Sequence, residues 1–352
     1  MREMDGRITF GPSGPSKYPA PLDEAMQHYR PKGTFVAGGG MELDLSGPQA
    51  KLDYDLSLGT TGSEVLLTQF RFAATNMKAD LHLTPQWLTV NRFTANVFGG
   101  SVSVEPRADT SARIRPYAPF EYELSPIVIK DVDVSRVVAA LGDPAAAGKM
   151  TGRAFGTVWL AGMGPGGPVP PAQAVRGGGE IDVVDGNFWE APILKGAMAE
   201  SGFARDLFTV GEAAAVFRIH DGKVTLTNAA AGSTAVGVHA EGDIGLDGNV
   251  DLKLAAVPLT DWRMRASGAG IGKDDPLGKA FHAVVGAAGD AVATVSGAVV
   301  AEFHVHGPAA NPQIDKVAAP IIGRGLAKLF DGLANKEKDR PMVEQLKDKP
   351  GN

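Results

Sequence analysis

Cysteine is missing altogether from the 352 residues. That excludes a disulfide framework and any thiolate metal site, and it leaves oxidising and reducing compartments both open. Positive charge is also short, with 34 Lys and Arg against 40 Asp and Glu, so the chain carries −6 and has no basic stripe on which to lay nucleic acid. No apolar run is long enough to span a bilayer, and Met1 to Ser16 lacks the basic and apolar blocks of a signal peptide. Aromatic residues are scarce at 7%, and Trp87, Trp159, Trp189 and Trp262 are scattered, so no cluster forms a sugar platform. Turn formers are abundant instead. With 45 Gly and 24 Pro, the composition fits many short strands joined by tight connections and disfavours a helical fold.

The pattern around three Asp-Gly pairs supports hairpins. Val216 to His220, Asp221-Gly222 and Lys223 to Thr227 predict a two-residue turn that sets Ile219 opposite Val224 and Phe217 opposite Leu226. One face is then apolar, while Arg218, Thr225, His220 and Lys223 take the other. The same register at Asp185-Gly186 places Val183 opposite Phe188. At Asp247-Gly248 a two-residue turn would mix the faces, so the spacing predicts a three-residue bulged loop with Gly248 left-handed and Ile244 opposite Val250.

Elsewhere, residues 1–31 read as a Pro/Gly-rich leading segment and 32–130 as an N-terminal β region. Alternation there is clear in Leu52 to Leu58, and again through Leu81, Leu83, Leu88, Val90 and Phe93. Thr84-Pro85-Gln86 predicts a turn, and Gly99-Gly100 a bulge or tight bend. Residues 131–335 read as a second β region. It opens on a short helix capped by Asp133 or Ser135 and carrying Val137, Val138 and Leu141. Within it, 162–171 reads as a flexible Gly/Pro loop, 193–204 as a helix, 261–290 as a helical insertion, and about 318–335 as a closing helix. Ile321, Ile322, Leu326, Leu329 and Leu333 stripe that last helix, which docks on a sheet edge, and 336–352 is a charged mobile tail.

Motifs with chemical potential are sparse. His304 and His306, two apart on an expected strand, are spaced to share a metal ion, but the neighbouring sequence offers no third ligand. They read as histidines on a solvent-facing strand side, and no metal or other cofactor is expected. Asp131 with Asp133, and Glu241 with Asp243, have the short spacing of a glycosidase pair. Such pairs are common on wet β faces. Gly162-Met163-Gly164 lacks the following helix and lysine of a phosphate loop.

The order of several weak motifs is more specific than any one of them. Gly-Gly after Val97-Phe98 is followed by Asp131-Val132-Asp133-Val134 leading into a helix, by Gly148-Lys149-Met150-Thr151-Gly152, and by Gly178 to Gly186. A helix after Pro192, the two later Asp-Gly hairpins, Val305-His306-Gly307 and Asn311-Pro312 complete the series. This order resembles the C-terminal region of the AsmA family, best over 131–258 and 291–322. The resemblance implies an elongated, curved antiparallel β-sheet, a groove or open sandwich with a few short helices at its ends and edges.

It further implies a noncatalytic envelope protein, periplasmic and membrane-associated at full length. Such a protein shields phospholipid acyl chains for transfer between membranes or for outer-membrane biogenesis, with inner- or outer-membrane proteins as partners at its ends. Carried onto the apolar face, the implied groove lining is Ile181, Val183, Phe188, Phe217, Ile219, Val224, Leu226, Ile244, Val250, Leu252 and Leu254. The chain departs from the family in having no N-terminal membrane helix and in the 261–290 insertion. Two alternatives stand beside the groove: a β-rich scaffold or protein-interaction module with a closed core, and a glycan-active enzyme on a β scaffold.

Overall fold

The computed structural model describes residues 2–10, 30–44, 46, 51–67, 72–115, 120–141, 150–164, 168–187, 191, 193–196, 211–232, 236–258, 292–295 and 298–317. The insertion at 261–290, the closing helix, the tail and Phe188 lie outside these residues. The protein is mainly β, and every strand pair with a defined register is antiparallel. The chain divides into two compact units, Met1–Ala145 with Phe155–Gly177, and Ala146–Ala154 with Gly178–Asn352.

The first unit opens with β1 (Arg2–Phe10), so the leading segment is partly strand: β1 pairs along its whole length with β2 (Pro31–Asp44). Next come β3 (Lys51–Leu67), β4 (Phe72–Leu83), β5 (Leu88–Val97), β6 (Gly100–Val104), β7 (Ala112–Arg115) and β8 (Glu121–Asp133). The Thr84 hydroxyl accepts from the Trp87 N–H at 3.2 Å and closes the β4–β5 loop. Phe98 and Gly99, at φ 48° and 77°, make the two-residue turn into β6, so the glycine pair marks a tight hairpin. Helix α1 (Val134–Leu141) starts where expected, its first turn capped by Asp133 Oδ1 accepting from the Arg136 N–H at 3.3 Å.

Strand β9 (Thr151–Met163) carries the chain past Gly162, which shortens the expected loop. Gly164 N–H then donates to Phe120 O at 2.8 Å, and Gly162 lies against the Tyr122 ring, so this glycine stretch continues a strand. A one-turn helix α2 (Pro171–Ala174) follows.

The second unit contains β10 (Arg176–Asn187), β11 (Gly211–His220), β12 (Lys223–Gly232), β13 (Val236–Gly245), β14 (Asn249–Pro258), β15 (Val292–Val295), β16 (Ala298–Pro308) and β17 (Gln313–Lys316). Two of the three Asp-Gly expectations hold. Ile219 faces Val224 and Phe217 faces Leu226 across a turn with Asp221 and Gly222 at φ 51° and 75°. Ile244 faces Val250 across Leu246-Asp247-Gly248, with Gly248 at φ 88°.

The first copy is a correction. β10 runs straight through Asp185-Gly186 with no hairpin there. Asp185 keeps the positive φ of 50°, but this serves an irregularity inside the strand, beside the close approach of Gly152 and Gly186. Of the helix expected over 193–204, residues 193–196 are described and helical.

Candidate functional site

Registers decide which side chains share a face. In the second unit, Phe217 and Ile219 on β11 stand opposite Leu226 and Val224 on β12, and Val224 stands opposite Ile244 on β13. Ile244 pairs with Val250, Leu252 with Val305, and Leu254 with Phe303. Eight of the expected lining residues therefore lie on one continuous apolar face. Ile181 and Val183 share one face of β10 by alternation, with Val183 packed over Gly152.

Burial divides this face into two parts. Phe217, Ile219, Val224, Leu226 and Ile244 are half-buried. Val250, Leu252 and Leu254 are buried with Phe303 and Val305, and Ile193 and Leu194 of the helical residues 193–196 pack against that cluster. Those three positions are core rather than groove lining, a correction that follows from their burial, 4%, 3% and 2% exposed, within this cluster. Each such buried Leu or Phe contributes about 1.5–3 kcal/mol.

The first unit carries a second apolar face that the eleven expected residues do not include. Leu56 faces Leu83, Leu83 faces Leu88, Leu88 faces Ile114 and Ile114 faces Tyr122, a row across five strands. A neighbouring row runs Leu58, Leu81, Val90, and another runs Phe93, Val104, Ile127. Val90, Val104 and Ala112 form a buried cluster here, Ala95 and Val97 on the Phe93 side of β5 are buried as well, and the hydrophobic residues described around the cluster, Leu81, Phe93, Leu124 and Ile127, all come from the sheet itself. Most of the larger side chains stay half-buried, and at one end Leu43 and Leu52 face each other with 58% and 46% of their surface exposed.

Alternation in Leu52 to Leu58 and Leu81 to Phe93 was the available signal. Alignment of these alternations into rows depends on registers between distant strands. Burial pushes the Tyr122 hydroxyl pKa above its ordinary value.

The opposite faces are polar and densely paired. Arg113 and Arg115 on β7 meet Glu123 and Glu121 on β8 at 3.0 and 3.2 Å, and both guanidinium groups lie within 5 Å of the Trp87 ring. Asp243 takes a 2.7 Å bond from the Thr225 hydroxyl and lies 3.3 Å from Lys223 Nζ. The Thr225 bond, then the Lys223 bond and charge, outweigh partial burial and hold its carboxyl below the ordinary range. A carboxyl held ionised in this way is ill suited to be the acid of a glycosidase pair with Glu241, while Asp133 is occupied as a helix cap. His304 and His306 do face the polar side as expected. Asp251 and Asp315 from neighbouring strands stand beside them, which adds carboxylates that local sequence did not offer.

Among the described residues no helix is long and apolar enough to cross a membrane, which leaves spanning by strands untouched. Comparison with protein-family models, with curated proteins and with solved structures gave no match.

Proposed function

We propose that the protein is a noncatalytic lipid-handling component of the bacterial envelope. Its apolar sheet surface shields phospholipid acyl chains during transfer between membranes or outer-membrane biogenesis. The observation that carries this reading is the apolar face of the first unit, where rows of Leu, Val, Ile and Phe cross the sheet with their Leu, Ile and Phe side chains half-buried around buried Val90 and Val104, ending at exposed Leu43 and Leu52. An apolar surface of this continuity is costly in water and is relieved by apolar ligand or partner. Acyl chains match it because they need unbroken apolar contact and no polar partners. The motif order resembling AsmA-like proteins supports the same reading, and the half-buried residues Phe217, Ile219, Val224, Leu226 and Ile244 extend it to the second unit.

A second reading has its own observation, confined to the second unit. Phe303 and Val305, 1% and 0% exposed, lie in a core that Ile193 and Leu194 pack against. That part of the sheet serves as a scaffold with a closed core.

Mass spectrometry of organic extracts from the gently purified full chain tests the proposal, with Leu58→Asp as the matched control. Phospholipid present in the unmutated chain and depleted in a folded Leu58→Asp variant supports it. Equal lipid in both, or none in either, overturns it in favour of the scaffold.

A further inference from the structure

His304 and His306 stand two residues apart on β16, so alternation sends both to the polar face of the second unit, with ring centroids 5.1 Å apart. Strands on either side bring a carboxylate to each. Asp251 on β14 stands opposite His306, and Asp315 on β17 stands opposite His304. The short contacts run along the diagonals: His304 Nε2 lies 2.7 Å from Asp251 Oδ1, and His306 Nε2 lies 2.9 Å from Asp315 Oδ2. As a result, one donor atom from each of His304, His306 and Asp315 falls within 4.8 Å of the other two.

We infer that His304, His306 and Asp315 form a binding site for a divalent transition-metal ion of the zinc type, with Asp251 as the adjoining carboxylate. Ligands around such an ion sit about 2.0–2.2 Å from it and hence about 3–4 Å from one another, so small side-chain rotations close the set. Two imidazole nitrogens with a carboxylate oxygen favour zinc, nickel, copper or cobalt over magnesium and calcium, which prefer all-oxygen shells. The two carboxylates offset the charge of a dication.

Rigidity comes from behind the site. Phe303 and Val305, the residues alternating with the two histidines, are 1% and 0% exposed in the core, which fixes the backbone from which both imidazoles project. The histidine side chains are themselves 43% and 36% exposed and Asp315 is 70% exposed, so the ion is reached directly from solvent and keeps water in its remaining positions. The bound ion ties the four-residue β17 to β16, and through Asp251 to β14. The other histidine–aspartate pairs on polar faces, His82 with Asp55 and His220 with Asp221, each bring one imidazole to one carboxylate.

The test uses the full chain without a histidine tag, stripped with chelator and titrated with zinc chloride by calorimetry at about pH 7.5. A parallel titration with cobalt chloride is followed by visible absorption, and circular dichroism verifies that each variant is folded. One zinc per chain is expected. His304→Ala and His306→Ala should each weaken binding about tenfold or more, Asp315→Asn should weaken it too, and His82→Ala should leave it unchanged. Zinc affinity that survives in the His304→Ala/His306→Ala double variant, or an unmutated chain that binds no tighter than that variant, overturns the site.

Discussion

The two units use one sequence device to different ends. In the first, Leu58, Leu81 and Phe93 alternate with polar residues or glycine and lie half-buried on a face where the cluster of Val90, Val104 and Ala112 is packed by side chains of the sheet itself. In the second, Leu252, Leu254 and Phe303 alternate with Asp251, Lys253 and His304 in the same manner, but are 3%, 2% and 1% exposed, with Ile193 and Leu194 packed against their cluster. Alternation assigns a side chain to one side of a strand. Whether that side is covered depends on chain far away in sequence, and that difference separates a closed core from an apolar face that reaches water.

Introducing a charge is the strongest way to break the comparison. Leu252→Asp or Val305→Asp places an unpaired carboxylate in a closed cluster and should cost on the order of several kcal/mol, enough to abolish the cooperative urea transition of the second unit. Leu58→Asp and Leu81→Asp, able to reach water, should cost about 1–2 kcal/mol and leave a folded chain that retains less phospholipid. If Leu81→Asp were as destabilising as Leu252→Asp, the first unit's face would be a core as well. Phe217→Asp and Val224→Asp sharpen the contrast inside one face, because they sit at its half-buried end. Their urea midpoints should fall between those of the two groups.

Backbone geometry gives a smaller effect. Gly242 pairs with Leu252 at φ 130°, and an added Cβ there would collide with the Asp251 carbonyl oxygen. Gly248, at φ 88° in the loop, has open space around the same position. Gly242→Ala should therefore cost more than Gly248→Ala, about 2–3 against about 1 kcal/mol, since only the first adds a clash to the left-handed strain. Equal midpoints in urea would mean that β14 yields at Asp251, and that the buried side of the sheet is softer than its burial implies.

These positions also show what was legible in the sequence. Val216 to Thr227 announces its own hairpin because turn, alternation and register are all local, and Ile244 to Val250 required a bulged loop for the same reason. Asp185-Gly186 misleads because the dipeptide reports only tolerance of positive φ, which a strand irregularity uses as readily as a turn. The eight residues that share the second unit's face were identifiable, but not the burial of Val250, Leu252 and Leu254, which involves a helix more than fifty residues upstream. The partners of His304 and His306 were hidden similarly. Asp251 and Asp315 reach them only through the β14–β16 and β16–β17 registers.

The polar faces allow the finest comparison, since the Asp243 carboxyl is held below its ordinary value of 3.8 mainly by the Thr225 hydroxyl, with Lys223 second. A carboxyl whose pKa is depressed in the folded state favours folding above its unfolded pKa, and loses that contribution as pH falls through the folded value. Thr225→Val removes the main cause while keeping side-chain shape, so the Asp243 carboxyl resonance should titrate at higher pH in the variant. The stability gap between variant and unmutated chain should hold steady above about pH 5 and narrow on acidification below about pH 4. A gap that stays constant down to pH 2 would assign the effect of Thr225 to strand packing, leaving its bond to the Asp243 carboxylate with no part in holding β12 to β13.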